Sequence, residues 1–223
     1  MQIIPAKTPG LVKTIFPNFV WNINTGAKEL YLTFDDGPTP EITDWVLSTL
    51  RDYKAKATFF CVGENIKKHP EIFQNIISEG HSVGNHTYNH LKGWKHKTED
   101  YINNVLLTQN LIDSETQNSE NFEAQPASAK LFRPPYGKLK IKQGKQLRQM
   151  GYKTILWDVL SFDWESSISE EQCLKNITSV AKRGSIIVCH DSVKAFKNLK
   201  FCLPKVLDYY TQQGFMFKAI KIV

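Results

Sequence analysis

The chain lacks any Cys-x-x-Cys pair, any dense run of Lys and Arg, any apolar stretch long enough to cross a membrane, and any internal repeat. Its four cysteines, Cys61, Cys173, Cys189 and Cys202, are too widely spaced for a zinc knuckle or a thioredoxin-like motif. Cys61 and Cys189 fall within apolar runs, where a free thiol packs as a small hydrophobe, and this usage points to a reduced compartment. A net charge of +6 and a pI near 9.0 admit an anionic partner. The Lys and Arg residues are scattered, however, which argues against nucleic acid as that partner. Pro5, Pro9, Lys13 and Pro17 interrupt the apolar stretches near the N-terminus, so no signal-peptide core is legible there. With nothing approaching the ~20 apolar residues of a membrane span, the chain as given is expected to be a soluble, cytoplasmic monomer.

A length of 223 residues with 41% hydrophobic content suits one well-buried domain. Residues 1–27 read as an irregular arm packed on a domain of residues 28–223. Short apolar runs predict strands at 30–34, 57–62, 82–84, 131–133, 153–158, 185–190 and 217–222. Ile72, Phe73, Ile76 and Ile77 at helical spacing, opened by Pro70 and closed by Gly80, predict a helix between those two residues. Further helices are expected at 40–52 with Thr39 as cap, at 98–112, 142–150 and 195–210, and at 170–183 behind a Ser169/Gln172 capping box. Residues 113–130 are poor in apolar side chains and read as a mobile surface loop. The alternation of strands and helices predicts parallel βαβ units closed, or nearly closed, into a barrel. In such folds the C-terminal strand ends share the face that carries the site.

The organising stretch is Leu30-Tyr31-Leu32-Thr33-Phe34-Asp35-Asp36-Gly37-Pro38, an apolar strand that ends in paired carboxylates and a turn. Neighbouring charges at a strand end need a metal, an Arg or a His to hold them. His86 and His90 are spaced so that both imidazoles face one way if the segment is one helical turn. With a carboxylate from another strand end they make the two-His, one-acid arrangement of catalytic zinc sites, which leaves a position open for water. The other Asp of the pair can then act as base, kept ionised by a cation such as Arg133. His190 closes the run Ile186-Ile187-Val188-Cys189 and can protonate a leaving group if a carboxylate such as Asp163 orients it.

Thr33-Phe34-Asp35-Asp36-Gly37-Pro38, His86-Thr87-x-x-His90, Arg133-Pro134-Pro135-Tyr136-Gly137, Asp163-Trp164 and Val188-Cys189-His190 occur in the order and spacing of the polysaccharide deacetylases. The chain resembles that family, carbohydrate esterase family 4 or the NodB-homology domain, over about residues 28–222. The resemblance implies an α/β fold, a distorted (β/α)7 barrel, and metal-dependent removal of acetyl groups from N-acetylated sugars such as N-acetylglucosamine-containing polysaccharides. It implies Asp35 as general base, His190 as general acid, and Asp36, His86 and His90 as ligands of one divalent metal, zinc, with cobalt or nickel as substitutes. Arg133 would hold Asp35, Asp163 would hold His190, and the backbone N–H of Tyr136 would stabilise the oxyanion. Pro135, Tyr136, Trp164 and Val188 would contact the substrate. The chain departs from the family at Leu160, where an acid is usual, and at Val188, where Leu is usual; neither position carries chemistry, so both bear on pocket shape. The competing readings are acetylxylan-type O-deacetylation, action on a small soluble acetylated metabolite, and carbohydrate binding without turnover.

Overall fold

The computed structural model describes residues 5–117 and 129–222. Strand β1 (Glu29–Asp35) is buried along nearly its whole length and lies inside a parallel sheet between β2 (Thr58–Cys61) and β7 (Ile186–His190). Continuous burial is what a parallel strand covered on both faces requires. Beyond β2 come β3 (Ser82–Asn85), β4 (Lys130–Phe132) and β5 (Tyr152–Thr154); beyond β7 comes β6 (Val159–Leu160), and β8 (Met216–Phe217) pairs with the start of β1. The sheet is curled and open. Its edge strands β5 and β6 are neighbours in sequence yet lie at opposite ends of the strand order.

Side chains alternate between the two faces. Leu30, Leu32, Phe34, Phe59, Ile187 and Cys189 pack outward against helices α2 (Ile42–Asp52), α4 (Pro70–Ser78), α7 (Glu170–Thr178) and α8 (Phe196–Gln212), through residues such as Leu50, Phe73, Ile177 and Leu203. Tyr31, Phe60 and Ile186 point the other way, with Leu131, Ile155 and Ile220. The same alternation sends Thr33 and Asp35 to this inner face, where Asp35 is in register with Phe60 on one side and His190 on the other.

Several sequence expectations are corrected. The arm is not wholly irregular: it contains α1 (Gly10–Ile15) and bridges the sheet edges. Val20 donates to Thr154 O at 2.9 Å and accepts from Leu156 N at 2.8 Å, while Leu160 N donates to Ala6 O at 2.8 Å. Lys7 and Lys13 both pair with the buried carboxylate of Asp158. The strand expected at 153–158 shrinks to β5, and β6 begins only beyond the expected span, because residues 155–158 cross the open gap and pair with the arm. Helix α2 starts at Ile42, with Glu41 as its cap residue at φ 65°. Thr39 instead donates its N–H to Thr43 Oγ1 at 2.8 Å. Helix α5 (Thr98–Gln117) runs through the first part of the expected loop; the rest of that expectation, residues 118–128, lies outside the described residues. Gln109 bonds Asp113 at 2.7 Å and Gln74 bonds Glu115 at 2.8 Å, so a polar stretch that looks loop-like continues as a solvated helical face. Helix α7 stops at Thr178, and the last expected strand is reduced to β8. A short helix, α3 (Gly63–Lys68), was not expected, and α6 (Ile141–Gln149) lies close to where it was. Among the described residues no helix is long and apolar enough to cross a membrane.

Candidate active site

Asp35 ends β1 on the inner face and is 4% exposed. Its Oδ1 accepts from Arg133 Nη1 at 2.6 Å. Arg133 is fully buried, and each of its three nitrogens finds an acceptor: Nη1 also meets Thr33 Oγ1 at 2.7 Å, Nε donates to Ile155 O at 3.1 Å and Nη2 to Leu156 O at 3.0 Å. Those carbonyls belong to the segment crossing the gap in the sheet, so the arginine ties the acid to the point where strand pairing fails. Its guanidinium also lies 4.1 Å from the Phe60 ring centre. Burial by itself pushes the Asp35 carboxyl up, but the charges of Arg133, His86 and His190 outweigh it and hold the pKa below the ordinary value.

Asp36 turns away from its neighbour because its backbone is left-handed, at φ 84°. A single strand end thereby delivers adjacent carboxylates to different places. The Asp36 carbonyl accepts from Asn65 Nδ2 at 2.8 Å, which fixes the turn to α3. Its Oδ1 lies 3.8 Å from His86 Nε2 and 3.5 Å from His90 Nε2.

The histidines do not sit on a helical turn. Thr87 and His90 are both left-handed, at φ 65° and 54°, and the segment is an irregular loop after β3. Its conformation is held from outside. Asn85 Oδ1 accepts from Thr87 N at 2.9 Å, Asn104 Oδ1 accepts from Tyr88 N at 2.8 Å, and the first N–H groups of α3 donate to Thr87 O and Tyr88 O. Those N–H groups have no partner within their own helix, so the loop and the helix end satisfy each other. His86 Nδ1 bonds the carbonyl of Arg133 at 2.8 Å, and since a carbonyl only accepts, Nδ1 carries a hydrogen and Nε2 is the nitrogen turned toward Asp36. Burial, reinforced by the His86 charge, lowers the His90 pKa to about 4, so this ring is neutral at physiological pH. One ligand atom each from Asp36, His86 and His90 lies within 4.8 Å of the others. Two imidazoles and a carboxylate, with the His86 ring fixed from behind, are a donor set that fits a divalent cation.

His190 ends β7 beside Asp35. Both oxygens of Asp163 engage it: Oδ2 accepts from the backbone N–H at 2.7 Å and Oδ1 from ring Nδ1 at 2.8 Å. Burial lowers the histidine pKa, but Asp163 more than reverses this and raises it to about 9. Asp163 is 1% exposed and is itself fixed by Ser161 Oγ on its N–H and Asn198 Nδ2 on its carbonyl. Trp164 lies edge-on to His190, ring centres 4.6 Å apart. Val188 is buried on the same face of β7 as His190. Pro135 is buried, whereas Tyr136 is 51% exposed, with φ 60° and its ring centre 4.6 Å from that of His90.

The structure thus brings the residues singled out in the sequence to one face. Sequence reading missed Asp191, a buried carboxylate that accepts from Gly37 N–H and the Thr43 hydroxyl, and Asn65 and Asn85, which brace the ligand loops. An acid directly after His190 in a buried run was the available signal for Asp191.

A curled parallel sheet with a carboxylate–histidine metal site at its strand ends defines a class of α/β metal-site proteins. Residues 22–155 match the family model of polysaccharide deacetylase, and the chain belongs to that family. It is 32% identical over 202 residues to a peptidoglycan-N-acetylglucosamine deacetylase of Bacillus cereus, covering 90% of each chain. It is 32% identical over 187 residues to chitin deacetylase 2 of Saccharomyces cerevisiae, covering 81% of this chain and 56% of that one. A crystal structure of a peptidoglycan N-acetylglucosamine deacetylase bound to a naphthyl N-hydroxybenzamide superposes with a TM-score of 0.81 at 28% identity, over 97% of this chain and 100% of that one.

Proposed function

We propose that this chain hydrolyses the acetamide of N-acetylglucosamine-containing poly- or oligosaccharides, releasing acetate and leaving the free amine. The observation that carries the reading is the close grouping of three features: a metal-competent triad, an Arg-paired carboxylate and a carboxylate-paired histidine.

When bound by Asp36, His86 and His90, a divalent cation supplies Lewis acidity to a carbonyl oxygen and acidifies a water. Zinc suits two imidazoles and one carboxylate, and cobalt or nickel would substitute. Asp35, kept ionised by Arg133, takes a proton from the water as its oxygen attacks the acetyl carbon. The backbone N–H of Tyr136, carried on a left-handed residue, donates to the developing oxyanion. His190, charged at neutral pH and held through Nδ1 by Asp163, gives its Nε2 proton to the amine nitrogen as the C–N bond breaks. The departing amine is then neutral. Pro135, Tyr136, Trp164 and Val188 shape the space for the acetyl group and sugar.

The proposed enzyme acts as a monomer. A cytoplasmic location would confine it to soluble oligosaccharides, and cell fractionation tests that part. Function is tested by measuring acetate release from chitooligosaccharides, peptidoglycan fragments and acetylxylan, with zinc added and then chelated. Metal-dependent acetate from an N-acetylated substrate is expected. Release from acetylxylan alone would make the enzyme an O-deacetylase, and glycan binding without acetate would make it a binding protein.

A further inference from the structure

Between β5 and β6 the chain crosses the open side of the sheet, and the site leans on this crossing. Arg133 directs two of its three nitrogens at it, to the carbonyls of Ile155 and Leu156. The sheet fixes the crossing at its two ends, where Ile155 N donates to Phe132 O at 2.8 Å and Asp158 N to Ile186 O at 3.0 Å. Between those anchors the N-terminal arm takes over. Val20 O accepts from Leu156 N at 2.8 Å, Thr8 Oγ1 donates to Trp157 O at 2.8 Å, and Thr8 N donates to Asp158 O at 2.9 Å. The arm thus stands where a further strand would close the barrel.

The arm's own attachment depends on polar contacts. No residue from 5 to 20 is buried, and Leu11 and Ile15 of α1 face solvent. What fastens α1 is Lys13, which pairs with the buried carboxylate of Asp158 alongside Lys7 Nζ at 2.6 Å. Lys7 Nζ also donates to Val180 O at 3.1 Å, and Ser185 Oγ donates to Asp158 Oδ2 at 2.5 Å. Burial pushes the Asp158 carboxyl up, but Lys13, Lys7 and Ser185 outweigh it and hold the acid below its ordinary value.

A carboxylate as buried as Asp158 is costly without partners, so the acid and the two lysines hold the arm and the crossing to each other. Contacts then run without a break from Lys7 and Lys13 through Asp158 and the Ile155 and Leu156 carbonyls to Arg133. They end where Arg133 Nη1 meets Asp35 Oδ1 at 2.6 Å. A general base must lie within hydrogen-bond reach of the proton it takes. A shift of the crossing would re-aim the guanidinium and with it the carboxylate, and a misplacement of about 1 Å can cost ~10²-fold in rate.

Resting on the deacetylase reading, we propose that Lys7, Lys13 and Asp158 are positioning residues for the hydrolysis. The arm holds the crossing, the crossing aims Arg133, and Arg133 sets the Asp35 carboxylate toward the water. A purely stabilising arm would raise the melting temperature and leave the turnover of folded molecules alone. A positioning arm changes kcat in molecules that are fully folded.

The test uses the full zinc-loaded chain and the triple variant Lys7→Met, Lys13→Met, Asp158→Asn, which removes the charges together and so leaves none buried and unpaired. Kinetics on N-acetylglucosamine oligomers are run well below the variant's melting temperature. Solvent exchange of the Arg133 Nε–H is followed by NMR, the signal being assigned by its loss in Arg133→Lys. In the triple variant kcat should fall roughly tenfold to a hundredfold, with KM and metal content unchanged, and the Nε–H should exchange faster. Lys7→Arg with Lys13→Arg keeps the ion pairs and should keep both properties near wild type. Wild-type kcat in the folded triple variant, or a loss of kcat with unchanged Nε–H exchange, would overturn the proposal and leave deacetylation standing. If the triple variant does not fold, Lys7→Met alone, which leaves Lys13 on Asp158, is judged by the same two readouts. If the wild type releases no acetate, the deacetylase reading fails instead. Nε–H exchange then decides the arm's hold on Arg133, with faster exchange in the variant supporting it and unchanged exchange overturning it.

Discussion

Gly37 donates its N–H to Oδ1 of Asp191 at 3.1 Å, and a Cβ placed on Gly37 would lie 1.9 Å from Oδ2 of the same carboxylate. The turn after the paired acids is therefore seated on a buried group that leaves no room for any side chain. Oδ2 also accepts from the Thr43 hydroxyl at 2.6 Å, joining the turn to α2. Asp191→Ala would strand a buried N–H and a hydroxyl, at a cost of about 1–3 kcal/mol for each unsatisfied group. Asp191→Asn keeps an acceptor and should lose much less. Gly37→Ala should displace Asp36 and lower metal stoichiometry. Chemical denaturation together with elemental analysis checks both; full metal content in folded Gly37→Ala would show that the turn does not position Asp36.

Arg133 and Asp35 are a buried ion pair, and removing one member of such a pair typically costs ~3–5 kcal/mol. Arg133→Ala should lose about that much, because it also releases the carbonyls of Ile155 and Leu156. A separate effect should appear in the pH profile. The arginine charge holds the Asp35 pKa down against burial, so its loss lets the acid protonate at higher pH. The acid limb of the rate profile should therefore move upward in whatever fraction folds. An unmoved acid limb would mean that Asp35 does not set it.

What the sequence made legible were the ends of buried strands. Apolar runs such as Leu30–Phe34 and Ile186–Cys189 terminate abruptly in charged residues, and parallel topology gathers such ends on one face. Less legible were features set by distant partners. The spacing of His86 and His90 suits a helix equally well, and the observed loop depends on Asn85, Asn104 and the start of α3. Helix α3 buries only Gly63 and Ile66, and of these Ile66 alone has a side chain, which leaves a faint periodic signal. The pairing of the arm with β5 and β6 depends on contacts more than a hundred residues apart, and Asp158 reads as an ordinary acid until Lys7 and Lys13 reach it.

His86→Ala should abolish stoichiometric metal binding, since the remaining Asp36 and His90 offer only two ligands. Chelation of the wild-type protein should suppress turnover, and added zinc, cobalt or nickel should restore it to different degrees. Elemental analysis of the purified variant reads the result directly. Wild-type metal content in His86→Ala would remove this histidine from the ligand set.

His190 gives two linked expectations. Its pKa rises from an ordinary 6.5 to about 9 in the folded chain, where burial opposes charging but Asp163 more than compensates. A group with a raised folded pKa contributes stability that is fully present below its unfolded pKa and is lost as pH climbs through the folded value. A shift of this size corresponds to roughly 3 kcal/mol, so stability should decline between about pH 6.5 and 9 in the wild type. In Asp163→Asn that decline should flatten, because the anion favouring imidazolium is gone. The alkaline limb of amide hydrolysis should move down in the same variant, as the acid loses its proton earlier. His190→Ala should slow amide hydrolysis by ~10²–10⁴-fold, the range for a general acid. It should spare an activated aryl acetate far more, because a phenolate leaves as a stable anion without a proton. Metal content should be unchanged in both variants. Equal losses on amide and aryl ester would assign His190 to charge stabilisation or substrate positioning, with proton donation coming from another group.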